Sequence, residues 1–240
     1  MNVLGIETAT SICAAAVMSG ETVVAECSLE APQVHSEKLL PLIDECLKTA
    51  QFGLAELDGI AISIGPGSFT GLRIGLSVSK GLAFASGKPL LAVPTLEALA
   101  LKACHHGDAL SGEYILSLLD ARRDEVYCAL YRWDGVHLTT CRGSESLTLQ
   151  GLLSVLPGDG RILVAGDGET KFLDSLSSAN APELQSRIRR SEARCSGAAV
   201  AAIGMMHLEA GEIAEIESLQ PFYVKEFYTV AKPQTTQVIL

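Results

Sequence analysis

The sequence predicts an α/β chain built from two similar lobes, each a sheet covered by helices. Three observations predict it. One order of strand and helix signals occurs twice, the apolar runs are short and bounded by turn residues, and each half ends its first strand on an acidic residue, Glu7 or Asp120.

The first half opens with VLGIETATSICAAAVMSGETVVAECSLE. A strand reaches Glu7, a polar turn holds Thr8, Thr10 and Ser11, and a second strand runs to the turn signal Ser19-Gly20 before a third begins. HSEKLLPLIDECLKTA then reads as a helix from Ser36 to Ala50, with Ser36 as its cap and Pro41 costing one backbone hydrogen bond and kinking it. LDGIAISIGPGS follows as a buried strand ending in glycines. GLRIGLSVSKGLAFAS is a second helix, capped by Gly87 and stopped by Pro89. The strand and helix of LLAVPTLEALALKACHHG complete this half, and Gly107, Asp108, Ser111 and Gly112 mark its end.

The second half repeats the order. YILSLLDARRDEVYCALYRWDGVHLTTCRGSE gives a strand to Asp120, a polar turn, a strand, the hairpin signal Asp134-Gly135 and a third strand. A helix from Leu147 to Leu156 leads to GRILVAGDGET, again a strand ending in glycine. Three meandering strands, a helix and a further strand, performed twice, is the pattern of a duplicated ribonuclease-H-like unit. The expected lobes are residues 1–107 and 108–240. The aromatic tail ESLQPFYVKEFYTV is expected to pack back on a lobe, and the final PQTTQVIL has little to anchor it.

Composition narrows the function classes. Hydrophobic residues make up 48% of the 240 and charged residues 19%, which argues for a substantial core and against disorder. Mean hydropathy is +0.30, yet Arg73 and Lys80 interrupt one apolar helix and Asp44, Glu45 and Lys48 the other, so neither reads as a membrane span. Sheets covered on both faces, together with apolar surface awaiting a partner, account for the excess. A net charge of -10 repels phosphate backbones and argues against autonomous nucleic-acid binding. Arg187, Arg189, Arg190 and Arg194, mixed with Glu192, read as a solvated helix face. Seven cysteines without a C-x-x-C pair indicate reduced thiols and a cytoplasmic chain, and MNVLGIETAT lacks the basic start of a signal peptide.

GPGSFTG, residues 65 to 71, is the candidate phosphate loop. Gly65 and Gly67 permit positive φ, Ser68 or Thr70 can cap the following helix, and successive N–H groups there suit an anion. The same loop serves equally as a tight turn that lets helix and sheet approach, with no ligand. It is not a Walker A loop, because Gly87-Lys88 is followed by Pro89, and no G-x-S-x-G elbow surrounds Ser68. Glu7, Thr8, Thr10, Gly65, Gly67 and Ser68 therefore stand as a vestigial nucleotide or phosphate site. His35, His105, His106, His137 and His207 show no H-x-x-x-H spacing, so no metal site and no complete catalytic set is expected.

The two long helices carry the sharper signal. Gly71, Gly75, Ser79, Ala83 and Gly87 form one row of small residues, and Ser77, Gly81 and Ala85 a second. One sheet cannot cover so wide an apolar arc, and small-residue rows admit another helix closely. The expected partner face is His35, Ser36, Leu39, Leu40, Ile43, Leu47, Leu72, Gly75, Leu76, Ser79, Lys80 and Ala83, with a charge at Leu72 or Leu76 expected to abolish partner capture. The competing reading buries both helices under the second lobe.

GIETAT, HSEKLLPLI, GPGSFTGLRIGL followed by KGLA, LLDARRDEVYCALY and the late PFYVK together resemble the bacterial TsaB (YeaZ) family over nearly the whole chain. The resemblance implies the fold of the actin, sugar-kinase and heat-shock-protein (ASKHA) superfamily. It implies a non-catalytic subunit that docks its relative TsaD and works with the ATPase TsaE to make threonylcarbamoyladenosine at position 37 of tRNAs reading ANN codons. It also implies self-association through the same helical face, tRNA reached only through the complex, and no cofactor on the isolated chain, since ATP and the metal belong to the partner subunits. Glu7 departs from the Asp of many relatives, which weakens any metal or nucleotide role there. Rival readings are a free-standing ATP-dependent phosphotransferase using Gly65 to Gly71 and the Thr8 to Ser11 turn and, behind it, a metallopeptidase.

Overall fold

The computed structural model describes residues 1–31, 34–105, 107–179 and 181–224. The first sheet has β1 (Asn2–Glu7), β2 (Ile12–Ser19) and β3 (Thr22–Glu30) as an antiparallel meander, with β4 (Gly59–Gly65) and β5 (Leu90–Pro94) added in parallel. Its order is β3-β2-β1-β4-β5. The second sheet has the same plan, β10-β9-β6-β7-β8, from β6 (Tyr114–Asp120), β7 (Glu125–Trp133), β8 (Leu138–Thr148), β9 (Ile162–Ala165) and β10 (Ile188–Arg190). Central strands β1 and β4 are apolar along nearly their whole length because helices cover both faces of the sheet, whereas edge strand β3 exposes Val23 and Val24. The matching registers place Glu7 opposite Ala14 and Asp120 opposite Val126, at corresponding strand ends.

The helices are α1 (His35–Ala50), α2 (Phe69–Ser86), α3 (Thr95–His105), α4 (Leu149–Val155), α5 (Glu169–Ser178), α6 (Pro182–Arg187) and α7 (Gly197–Ala210). Apolar faces of α1 and α2 close one side of the first sheet, in a core with Leu39, Ile43, Leu76 and Ala83. Helices α4 and α5 close the outer side of the second, around Phe172 and Leu176. Between the sheets the chain crosses over. Helix α3 sets Leu96, Leu99 and Ala103 against Ile115, Tyr131 and Leu163 of the second sheet. Helix α7 sets Val200 and Ile203 against Val3, Ala61 and Leu91 of the first. Gly5 admits α7, since a Cβ there would lie 2.2 Å from the Gly197 carbonyl oxygen.

Several local expectations change. Helix α1 is capped by Val34 without a side-chain bond, which leaves Ser36 inside the first turn, and the helix runs through Pro41. Ser68 does cap α2, accepting a hydrogen bond from Gly71 N, and Gly87 closes it in the left-handed region. Gly65 has φ +120°, but Gly67 is not among the positive-φ glycines; it is needed because a Cβ would meet the Ala9 carbonyl at 2.3 Å. The basic cluster is no helix face. Arg187 donates to the carbonyls of Pro157, Gly158, Asp159 and Gly160, Arg189 pairs with Glu113, and Arg190 pairs with Glu169.

The C-terminal segment returns to the first sheet. Ala214 bridges to Leu90, Phe222 N donates to the Ile64 carbonyl at 2.7 Å, and Tyr223 Oη meets Arg73 Nε at 2.9 Å. His106 and residues 225–240, which include the PQTTQVIL tail, lie outside the described residues. No helix among the described residues is long and apolar enough to cross a membrane.

Candidate docking face and interlobe cleft

Four turns at corresponding strand ends meet around a cleft of about 980 Å³. Thr10 and Ser11 enter it from the β1–β2 turn, Gly67, Ser68 and Thr70 from the start of α2, Asp120 and Arg122 from the β6–β7 turn, and Asp167 from beyond β9. His35 and Ser36 reach its rim from α1, and His35 Nε2 lies 3.2 Å from the Ile12 carbonyl oxygen. The sequence-predicted phosphate residues divide here: Thr10, Gly67 and Ser68 line the cleft, while Glu7, Thr8 and Gly65 stand behind it in the core.

Glu7 is completely buried. Its Oε1 accepts the Ala9 N–H at 2.5 Å, and its Oε2 has no partner among the described residues. Burial pushes its carboxyl up to about 7 against the hydrogen bonds from Ala9, Ser63 and Thr8. Asp120 is the opposite case. Partial burial opposes its ionisation, but the Lys171 ammonium at 2.6 Å and the Arg122 N–H at 2.8 Å hold it below the ordinary carboxylate range. Asp167, which accepts the Asp120 N–H at 2.9 Å, is raised by burial. Lys171 was invisible to sequence reasoning because it comes from α5, far along the chain from Asp120.

The helical face also divides. Of the twelve residues expected to meet a partner, Leu39, Ile43, Leu72, Gly75, Leu76, Ser79, Ala83 and His35 are buried within this chain. The reason is the first small-residue row. A Cβ on Gly71 would lie 2.1 Å from the Thr8 carbonyl oxygen, and the Gly75 Cβ 2.1 Å from Thr8 Oγ1, so that row brings α2 down onto its own sheet. Ser36 and Leu40 remain exposed, Leu40 at 55%, and Leu47 and Lys80 are half-buried.

The second row is the open one. Ser77, Gly81 and Ala85 are exposed, no atom of the described residues lies within 4 Å of a Cβ on Gly81, and Phe84 beside them is 83% exposed. Helical spacing puts Arg73, Ser77, Gly81 and Phe84 on one arc, flanked by half-buried Ile74 and Val78. Arg73 is fixed there, its guanidinium 3.6 Å from the Phe69 ring centroid. Phe84 escaped the sequence reading because the inward row carried the stronger glycine signal.

Comparison with known proteins decides the relationship. The family model for TsaD, tRNA N6-adenosine threonylcarbamoyltransferase, matches residues 29–205. The tRNA threonylcarbamoyladenosine biosynthesis protein TsaB of Escherichia coli (strain K12) is 37% identical over 134 residues. The crystal structure of an uncharacterized protein with similarity to peptidase YEAZ from Pseudomonas aeruginosa superposes with a TM-score of 0.77 at 26% identity, covering 93% of this chain and 99% of that one. The chain belongs to the TsaB (YeaZ) family. The stretch aligned with the E. coli TsaB spans 56% of each protein, little more than half of its length. A ROK family protein from Streptococcus pneumoniae TIGR4, 13% identical over 88% of this chain with a TM-score of 0.52, shares the fold alone. The two sheets repeat one strand order, as the internal repeat anticipates.

In this TsaB-family chain Glu7 is sealed away from the cleft, and Asp120 already holds the Lys171 ammonium. Among the described residues no three His, Cys, Asp or Glu side chains converge.

Proposed function

We propose that the chain is a docking subunit in the synthesis of threonylcarbamoyladenosine in tRNA, bringing no chemistry of its own and binding the TsaD enzyme through the outer arc of α2. One observation carries this reading: Ser77, Gly81 and Ala85 form an uncovered row of small residues beside an almost fully exposed Phe84. A close-packed helix from another protein is the structure such a row fits, with Phe84 and Leu40 supplying the apolar area that drives association. In this reading the same arc pairs two copies of the chain when the enzyme is absent. TsaE supplies the ATPase, ATP and the metal ion stay with the partner subunits, tRNA is reached through the complex, and the work is done in the cytoplasm.

The family assignment supports the pathway, and the Lys171–Asp120 pair supports the absence of an ATP-dependent step on this chain. Residues of the former phosphate site, Thr10, Gly67 and Ser68, then serve the turns of the first sheet that face the cleft. The test is co-elution of the chain with TsaD from the same organism, using Phe84→Asp and Gly81→Arg variants. Loss of the complex with unchanged folding is the expected outcome, and co-elution equal to the parent protein overturns the reading. Calorimetric titration with ATP and magnesium addresses the phosphotransferase alternative, which requires tight binding by the chain alone.

A further inference from the structure

We propose that Cys27 and Cys46 are a reversible dithiol–disulfide site that fastens helix α1 to the edge strand β3. The strand register sets Cys27 directly opposite Ala15. Residues opposite each other in a sheet project from the same face, and this face is the one α1 covers, since Ala15, Ala25 and Cys46 share one core with Cys27 packed against it. Cys46 Sγ lies 3.3 Å from the Ala15 carbonyl oxygen and 3.6 Å from that of Ala25. Its sulfur therefore sits over the strand pair, between the cross-strand neighbour of Cys27 and the residue two positions before it. That placement brings both side chains to one packed face, as a disulfide between helix and strand requires.

Their surroundings assign the order of events. Cys46 is buried and Cys27 only half-buried, so an oxidant meets Cys27 first. Burial pushes the Cys46 thiol up to about 12 and raises Cys27 as well, with Glu45 and Glu26 adding to the latter. Thiols held protonated in this way react slowly with peroxide. Exchange with a disulfide is slowed for the same reason, so glutathione disulfide in excess serves as the oxidant. Cys27 sulfur attacks that disulfide, forming a mixed S–S bond and releasing one glutathione thiolate. Cys46 sulfur then attacks Cys27 sulfur, forming the internal bond as the mixed bond breaks and the second glutathione leaves. Two protein thiols are oxidised, one glutathione disulfide is reduced, and the two cysteine protons end on the released thiols.

The experiment incubates the full chain with excess glutathione disulfide, quenches in acid, alkylates the remaining thiols, and maps linkages by peptide mass spectrometry. A Cys27–Cys46 link within a single chain, reversed by dithiothreitol, is expected. The oxidised chain should melt about 6–12 °C higher, because the bond closes a short loop in the unfolded state. Cys46→Ser, or Cys46→Ala should the first fold poorly, should retain glutathione on Cys27. The proposal is overturned if the parent chain stops at the same Cys27 adduct, if no adduct forms there, or if oxidation appears only at the exposed Cys141.

Discussion

At the scale of single residues, Glu7 and the α2 glycines carry the physics. Burial raises the Glu7 carboxyl from an ordinary 4.5 to about 7, so the folded chain binds its proton more tightly than the unfolded chain does. Stability is then greatest below about pH 4.5 as far as this group is concerned, falls as pH rises from there to about 7, and is fully reduced above it. Glu7→Gln should flatten that slope and raise stability at pH 8 by at most about 3 kcal/mol, measured by urea denaturation at several pH values. Two glycines six residues apart on α2 should respond in opposite directions. Gly75→Ala forces a Cβ against Thr8 Oγ1 and should cost about 1–3 kcal/mol. Gly81→Ala meets nothing and should add about 0.5–1 kcal/mol in thermal unfolding, through better helix propensity. The repeat located Glu7 at its strand end, but its sealing depends on Ser63 and other neighbours distant in sequence, which no local pattern reveals.

Elements were more legible than their orientation. Periodicity and turn residues marked nine of the ten described strands, enough to expose the duplication, while β10 lies where a basic helix face was expected; the Gly87 cap of α2 follows directly from local chemistry. Two parallel rows of small residues, however, make both sides of α2 suited to close packing, and only the sheet decides which side turns inward. Leu72 shows the consequence. Facing the core, Leu72→Asp should unfold the protein outright, since an unpaired buried charge costs several kcal/mol, and loss of partner capture by that variant would say nothing of docking. Phe84→Asp should leave the melting temperature within about 2 °C of the parent and still abolish partner capture, which separates surface from core in one pair of measurements.

For the molecule as a whole, the twofold repetition could be read from ordered motifs, whereas the exchange of α3 and α7 could not. Chain order assigns each helix to the strands beside it, and only packing reveals that α3 covers the second sheet and α7 the first. That crossing ties the two lobes into one cooperative body. Should either sheet come apart, the other loses the helix shielding its inner surface and bares Val3, Ala61 and Leu91, or Ile115 and Leu163, to water. Scanning calorimetry should accordingly trace one endotherm whose calorimetric and van't Hoff enthalpies agree, in place of the two peaks that independent lobes would give. Neither half of this duplicated chain carries its own roof, and survival of each is hostage to the other.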